Sequence, residues 1–294
     1  EMSIGDWSSD VCSSDLVAAE LDAKMRGKTI AAGHLVAFSA LKTFRIGLDA
    51  LAGLEVSSVT RHGKFLDVDA QGIHLIFHLM RAGWVTWHDV APKVPARPGK
   101  SGLVLRIVLD DDSGFSLTEA GTQRALAVYV VEDPQEVPGI AALGPDPLAP
   151  GFTQGDFHAV LAGAGRSQLK GVLRDQKRLA GIGNAYSDEI LFVAKLSPFK
   201  PADGLDDEET ARLFDAMVAV LTEAVAVAAG RPLTDLKDTK RAHMRVHGRT
   251  GEPCAVCGTP IAEISYSSSS MQYCPGCQTG GKPLADRRMS RLLK

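Results

Sequence analysis

The order of hydrophobic and polar positions divides the chain into a strand-rich part followed by a helical one. LVAAELDAKMRGKTI, from Leu16, carries the spacing of a helix that stops at Gly27 and leads into a strand. From residue 28 to 132 the dominant pattern is alternation. EVSSVTRHGKFLDVDAQGIHLIFHLMRAGWVTWH reads as a run of strands with a Gln-Gly turn near position 71. SGLVLRIVLDDDSGFSLTEA reads as another hairpin, turning at Asp112-Ser113-Gly114. The Pro/Gly/Lys-rich stretch APKVPARPGKSG between them is expected as an exposed loop. These elements predict a β-rich domain, a sandwich or a barrel.

GPDPLAP, residues 144 to 150, carries the punctuation of a linker, and the period then changes. DFHAVLAGA, SQLKGVLRDQKRLAGIGNAYSDEILFVAKL and DDEETARLFDAMVAVLTEAVAVAAG all read as helical. The last opens on acidic residues, which suit a helix N-terminus. Its apolar run is interrupted by Asp215 and Glu223, so it reads as a buried helix of a globular domain and not as a membrane span. The first fifteen residues, EMSIGDWSSDVCSSD, carry no period and read as a translated cloning adapter, a non-native segment.

Composition sharpens this picture in two places. Of five cysteines, four stand in EPCAVCGTPIAEISYSSSSMQYCPGCQ, as two Cys-x-x-Cys pairs with sixteen residues between them. Without a signal peptide, a cytosolic metal site is expected in preference to a disulfide framework. Cys254, Cys257, Cys274 and Cys277 fit one tetrahedral zinc ion held by a hairpin. Four protein ligands leave no open position, so the zinc is structural. Charge is the second place. The net charge is −3, but residues 237–294 hold ten Lys/Arg against four Asp/Glu, a local balance of +6 that leaves −9 for the remainder. A basic end on an acidic protein suggests a polyanionic partner, although a solvated face reads equally well from charge alone.

The segment LKGVLRDQKRLAGIGNAYSDEIL predicts two helices around a glycine-rich turn, Leu179 to Gly183, with Lys170 and Arg174 on the first helix and Asn184 heading the second. The free N–H groups and positive dipole of such a helix tip suit an anion. Asn184 can either cap the helix or donate its amide to a phosphate.

The β-rich part, the segment KGVLRDQKRLAGIGNAYSDEIL and then VHGRTGEPCAVCGTPI and YCPGCQ resemble, in this order, the formamidopyrimidine-DNA glycosylase and endonuclease VIII family over residues 16 to 278. The resemblance implies an α+β fold with an N-terminal β-sandwich domain, a helix–two-turn–helix domain and a C-terminal zinc ribbon hairpin. The domains are expected at 16–143, 144–248 and 249–294, the last with a basic tail. It also implies excision of oxidised bases from damaged duplex DNA, followed by cleavage at the abasic site. In that chemistry the base is flipped out of the stack. An N-terminal proline amine attacks the sugar to form a Schiff base, and a neighbouring glutamate moves protons.

Carried over position by position, Lys64 matches a hairpin lysine that assists elimination and meets the phosphates. His78 matches a histidine beside the void-filling loop, and Lys170 and Asn184 match phosphate-contacting residues. Three departures stand out. The chain has no proline before Pro92; the proline slot falls near Ser9 and the glutamate slot near Asp10, so the native start is expected to have been lost or overwritten. Ser269 stands where a hairpin-tip arginine is usual, and brings no charge and no bidentate fork. Arg81 and, within TEAGTQRA, Gln123 are the candidates for filling the hole left by the base. The resemblance thus implies a repair glycosylase and abasic-site lyase, monomeric, cytoplasmic and not membrane-bound, whose chain as given lacks its nucleophile. The alternative is a degenerate relative that grips damaged DNA without excision.

Overall fold

The computed structural model describes residues 11–93, 102–121, 124–228, 241–266 and 269–285. The chain divides into two compact units at Leu143/Gly144, with a short later segment assigned back to the first.

The first unit is a β-sandwich with one helix. Helix α1 (Val11–Met25) is followed by β1 (Ile30–Leu35), β2 (Val56–His62), β3 (Phe65–Ala70), β4 (Ile73–His78), β5 (Gly83–His88), β6 (Leu103–Leu109), β7 (Gly114–Glu119) and β8 (Ala127–Val131). They form two antiparallel four-stranded sheets, ordered β1-β6-β7-β5 and β2-β3-β4-β8. Alternation explains the layering. Leu66, Val68 and Ala70 of β3 and Leu75 and Phe77 of β4 join Leu105, Ile107, Phe115 and Leu117 of the other sheet in one core. Phe65 and Ile76 face the opposite side, where they meet Val131, Val137 and Ile140. The β3–β4 turn places Gln71 and Gly72 at φ 53° and 85°, the paired left-handed geometry of a two-residue hairpin loop. Asp112, at φ 65°, turns β6 into β7.

Helix α1 begins at Val11, five residues before the expected start at Leu16. The sequence hid this because Ser13, Ser14 and Asp15 interrupt the apolar period. Ser14 is nonetheless buried, and the Asp15 carboxylate accepts from Arg61 of β2, which ties this turn to the sheet. Gly27, at φ 77°, ends the helix as predicted.

The first unit closes on a short helical turn, α2 (Pro138–Ala141). The second unit holds α3 (Gln154–Ala162), α4 (Leu169–Arg174), α5 (Asn184–Val193) and α6 (Asp207–Ala228). The zinc-ribbon hairpin follows, β9 (Ala262–Ser265) paired antiparallel with β10 (Ser270–Tyr273). Thr153 and Asp156 exchange hydrogen bonds in a capping box at the start of α3. Asp206 and Glu209 do the same before α6, each accepting from the other's backbone N–H. Helix α5 is buried from Asn184 to Phe192, including Asp188 and Glu189. No helix among the described residues is long and apolar enough to cross a membrane.

Candidate nucleic-acid interface and metal centre

The four cysteine sulfurs lie within 4.8 Å of one another. Cys254 and Cys277 are separated by 3.8 Å, and Cys257 and Cys274 by 3.4 Å. Metal–sulfur bonds of about 2.3 Å in a tetrahedron keep sulfurs about 3.8 Å apart, so the cluster is compact enough to close on one zinc ion with small side-chain shifts. Backbone N–H groups of Val256 and Cys277 donate to the sulfurs of Cys254 and Cys274, which suits thiolates. A Cβ at Gly276 would lie 2.6 Å from Thr259 Oγ1 and 2.8 Å from Cys257 Sγ, so this knuckle accepts only glycine.

The ribbon is bolted to α5 by polar groups. The Asp188 carboxylate, fully buried, accepts from Lys170 Nζ at 2.5 Å, from His247 Nδ1 at 2.8 Å and from the Gln272 backbone N–H at 3.2 Å. Its neighbour Glu189 accepts from three consecutive N–H groups, Arg245 at 2.8 Å and Val246 and His247 at 2.9 Å. Burial pushes the Glu189 carboxyl up from its ordinary value, opposed by those three donors and reinforced by the Asp188 charge. Asn184, at the first position of α5, donates its side-chain amide to Ser270 O at 2.7 Å, on β10 of the hairpin. The amide therefore neither caps the helix nor points into solvent.

The turn ahead of α5 is held by a residue that sequence reasoning missed. Gln176 donates to Ile182 O at 2.8 Å and to Arg174 O at 3.0 Å, and accepts from the Gly181 N–H at 2.8 Å. Gly181 sits at φ 90°. Asp188, Glu189 and His247 were missed as well. The signal was present in NAYSDEILF, where two acids stand side by side in an otherwise apolar helix. Lys170 is 6% exposed, and its ammonium donates to Asn184 O and Ser187 Oγ as well as to Asp188. The structure thus brings Lys170 and Asn184 together, with the lysine behind the helix tip and not on its surface.

In the first unit, Lys64 lies in the turn between β2 and β3, beside Gly63 at φ 57°. The base of this hairpin is held by Asp67, a buried carboxylate 2.9 Å from both His62 Nε2 and His74 Nδ1. His78 ends β4. Its Nδ1 accepts from the Met80 N–H at 2.9 Å, and its ring packs edge-on against Phe65 at 4.7 Å. Burial, with a smaller effect of the Lys64 charge, pulls the imidazole down to about 4. Met80 adopts φ 55°, an uncommon conformation for a side chain of its size, and Arg81 follows it, exposed. Gln123, Ser9, Asp10 and the tail cations Arg287, Arg288, Arg291 and Lys294 lie outside the described residues. In the β9–β10 hairpin, the backbone carbonyl of Ser269 accepts from the Tyr266 N–H at 2.7 Å.

Three family models cover most of this architecture. The formamidopyrimidine-DNA glycosylase N-terminal domain matches residues 15–126, the corresponding H2TH domain residues 143–234, and the zinc finger found in FPG and IleRS residues 251–280. A formamidopyrimidine-DNA glycosylase from Listeria innocua is 34% identical over 78% of this chain and 83% of its own length. The chain belongs to the formamidopyrimidine-DNA glycosylase family. An uncharacterized formamidopyrimidine-DNA glycosylase-like protein from Mycobacterium tuberculosis is 54% identical over 52% of this chain and 95% of its own length. The crystal structure of the MutM (Fpg) protein from Thermus thermophilus superposes with a TM-score of 0.77 at 29% identity, covering 93% of this chain and 100% of that one. Membership of the family places the zinc ribbon and the helix–two-turn–helix within a DNA-repair enzyme.

Proposed function

We propose that this protein grips duplex DNA at an oxidised or missing base, and that with a proline amine at its catalytic slot it excises the base and cleaves the strand. One observation carries the reading: the helix tip at Asn184 and the zinc hairpin are joined into one rigid block through Asp188, Lys170 and the Asn184–Ser270 bond. A block of this kind fixes the helix tip and the hairpin edge relative to each other, as recognition of a kinked sugar–phosphate backbone requires. Within it Lys170 is a positioning residue. Its charge is neutralised by Asp188, and its effect on a phosphate runs through the backbone of Asn184.

Lys64, half-buried in the β2–β3 turn, supplies a cation from the first unit and assists elimination, while neutral His78 offers Nε2–H to a phosphate. Zinc, when bound, supplies no chemistry beyond fixing the hairpin, because all four positions are taken by protein sulfur. Arg81 enters the space left by the flipped base in place of an apolar wedge, and Gln123 shares that role. A guanidinium there can pair with the orphaned base as well as stack, which makes the opposite base matter.

The departures at Ser9, Asp10 and Ser269 favour a second reading, a binder of abasic or oxidised DNA that performs no excision. Borohydride trapping on abasic and oxidised duplexes separates the two. The comparison is between the chain as given and one beginning with Pro-Glu in place of Ser9-Asp10. The first reading predicts a covalent adduct from the Pro-Glu chain alone. Tight binding with no adduct from either chain supports the binder. An adduct mapped to the N-terminus of the chain as given overturns the assignment of the slot.

A further inference from the structure

On the face of sheet β1-β6-β7-β5 turned away from the core lies a cavity of about 250 Å³, lined by Thr86, His88, Leu103, Arg106, Ser116 and Thr118, with Pro92 and Lys93 at its rim. The alternation that sends Leu105, Ile107, Phe115 and Leu117 inward leaves Arg106 and Ser116 on this outer face. Arg106 is 7% exposed, yet no carboxylate among the described residues pairs with it. The chain between Lys93 and Leu103 supplies none either: it contains Arg97 and Lys100 and no acid. The guanidinium is held by neutral groups. Nε donates to Ser116 Oγ at 2.9 Å, and Nη1 donates to the carbonyls of Pro92 at 2.5 Å and Lys93 at 3.3 Å. Its Nη2 meets no acceptor among the described residues.

Ser116 Oγ also lies 2.9 Å from His88 Nε2, so one hydroxyl ties the two basic side chains together. Burial, and then the Arg106 charge, lowers the His88 pKa. The Arg106 guanidinium is thus the charge of this site, and among the described residues no carboxylate balances it. Buried charges in folded proteins are paired or bind a ligand, and a planar fork of N–H groups matches an oxyanion. The cavity is larger than a bare ion needs, and Leu103, Pro92 and the threonine methyl groups give it apolar walls.

We propose that this cavity binds a small organic oxyanion, a phosphate monoester or a carboxylate, with its charged head on Arg106 and Ser116 and its compact body against Leu103 and Thr118. The site belongs to the sandwich and is independent of the DNA-gripping reading above.

Calorimetric titration of the zinc-loaded full chain at low ionic strength with inorganic phosphate, phenyl phosphate and benzoate tests it. The expected result is one-to-one binding of phenyl phosphate or benzoate, tighter than that of inorganic phosphate, with the preferred member reporting the head group. Arg106→Gln is expected to weaken it about tenfold or more. Thr118→Leu fills the cavity while leaving every Arg106 hydrogen bond in place, and is expected to abolish binding of the two organic probes. It keeps the test decisive if Arg106→Gln does not fold. No heat from any probe at millimolar concentration, or binding that survives Thr118→Leu, overturns the proposal and leaves Arg106 as a clamp on the Pro92–Lys93 carbonyls. Displacement of bound phenyl phosphate by a short duplex overturns it too, by making the cavity part of the DNA path.

Discussion

At the scale of the residue, burial and hydrogen bonding set what each polar group is able to do. His78 shows how environment sets the role. With Nδ1 occupied by the Met80 N–H and the ring against Phe65, it stays neutral through the physiological range. Its pKa of about 4 in the fold lies below the usual histidine value, so the unfolded chain binds the proton more tightly. Stability therefore falls as pH drops from about 6.5 toward 4, with a limiting slope of about 1.4 kcal/mol per pH unit. A proton NMR titration is expected to give His78 a midpoint near 4, and His78→Gln is expected to remove the corresponding slope from acid unfolding. Asn184 gives a second prediction. Asn184→Ala breaks the bond to Ser270 and is expected to weaken binding to intact, abasic and oxidised duplexes by a similar factor, worth about 1 kcal/mol. A loss confined to one lesion type, read by fluorescence anisotropy, contradicts this.

At the scale of the element, α5 joins the helix–two-turn–helix to the zinc ribbon. A helix whose every residue from Asn184 to Phe192 is buried cannot carry Asp188 and Glu189 unless each oxygen is satisfied, and the ribbon and the Arg245–His247 segment supply the donors. Removing the Asp188 carboxylate leaves the Lys170 ammonium buried without its counter-charge. Asp188→Ala is expected to cost about 3–5 kcal/mol in urea unfolding. The same change is expected to loosen the hairpin, seen as faster zinc transfer to a chelator. Gly276→Ala acts from the metal side, and its added carbon is expected to lower zinc affinity about tenfold or more. Much of this was open to reading in the sequence, for a physical reason. Alternation and turn chemistry are local, so the strands from β2 to β7, the Gln71–Gly72 turn and the start of α5 follow from their own residues. The paired Cys-x-x-Cys spacing likewise carries its chemistry in the chain. What stayed hidden depends on distant partners. Lys170 looks like a surface cation in LKGVLR until Asp188 is placed beside it, and Gln176 looks unremarkable until its amide spans the Ile182 and Gly181 backbone. The first turn of α1 was missed because its anchor, Arg61, lies forty-six residues away.

At the scale of the whole molecule, the proposed function divides the work between the two units. In it the sandwich contributes Lys64, His78 and Arg81, and the helical unit holds the duplex. The uneven charge fits this division, with +6 concentrated in residues 237–294. A charge added at the hairpin tip reports on whether that end meets the backbone: Ser269→Arg is expected to steepen the salt dependence of duplex binding by about one counterion. In the proposed function, a thiolate-bound ion and a glycine-hinged helix tip are locked together to hold a kinked duplex. The most direct measurement is fluorescence anisotropy of the zinc-loaded protein at low ionic strength, with matched duplexes that are intact or contain one abasic site, before and after zinc is withdrawn by a chelator. The expected result is saturable binding that favours the abasic duplex and collapses when the metal leaves. Equal affinity for both duplexes, or a preference that survives loss of the zinc, contradicts this function.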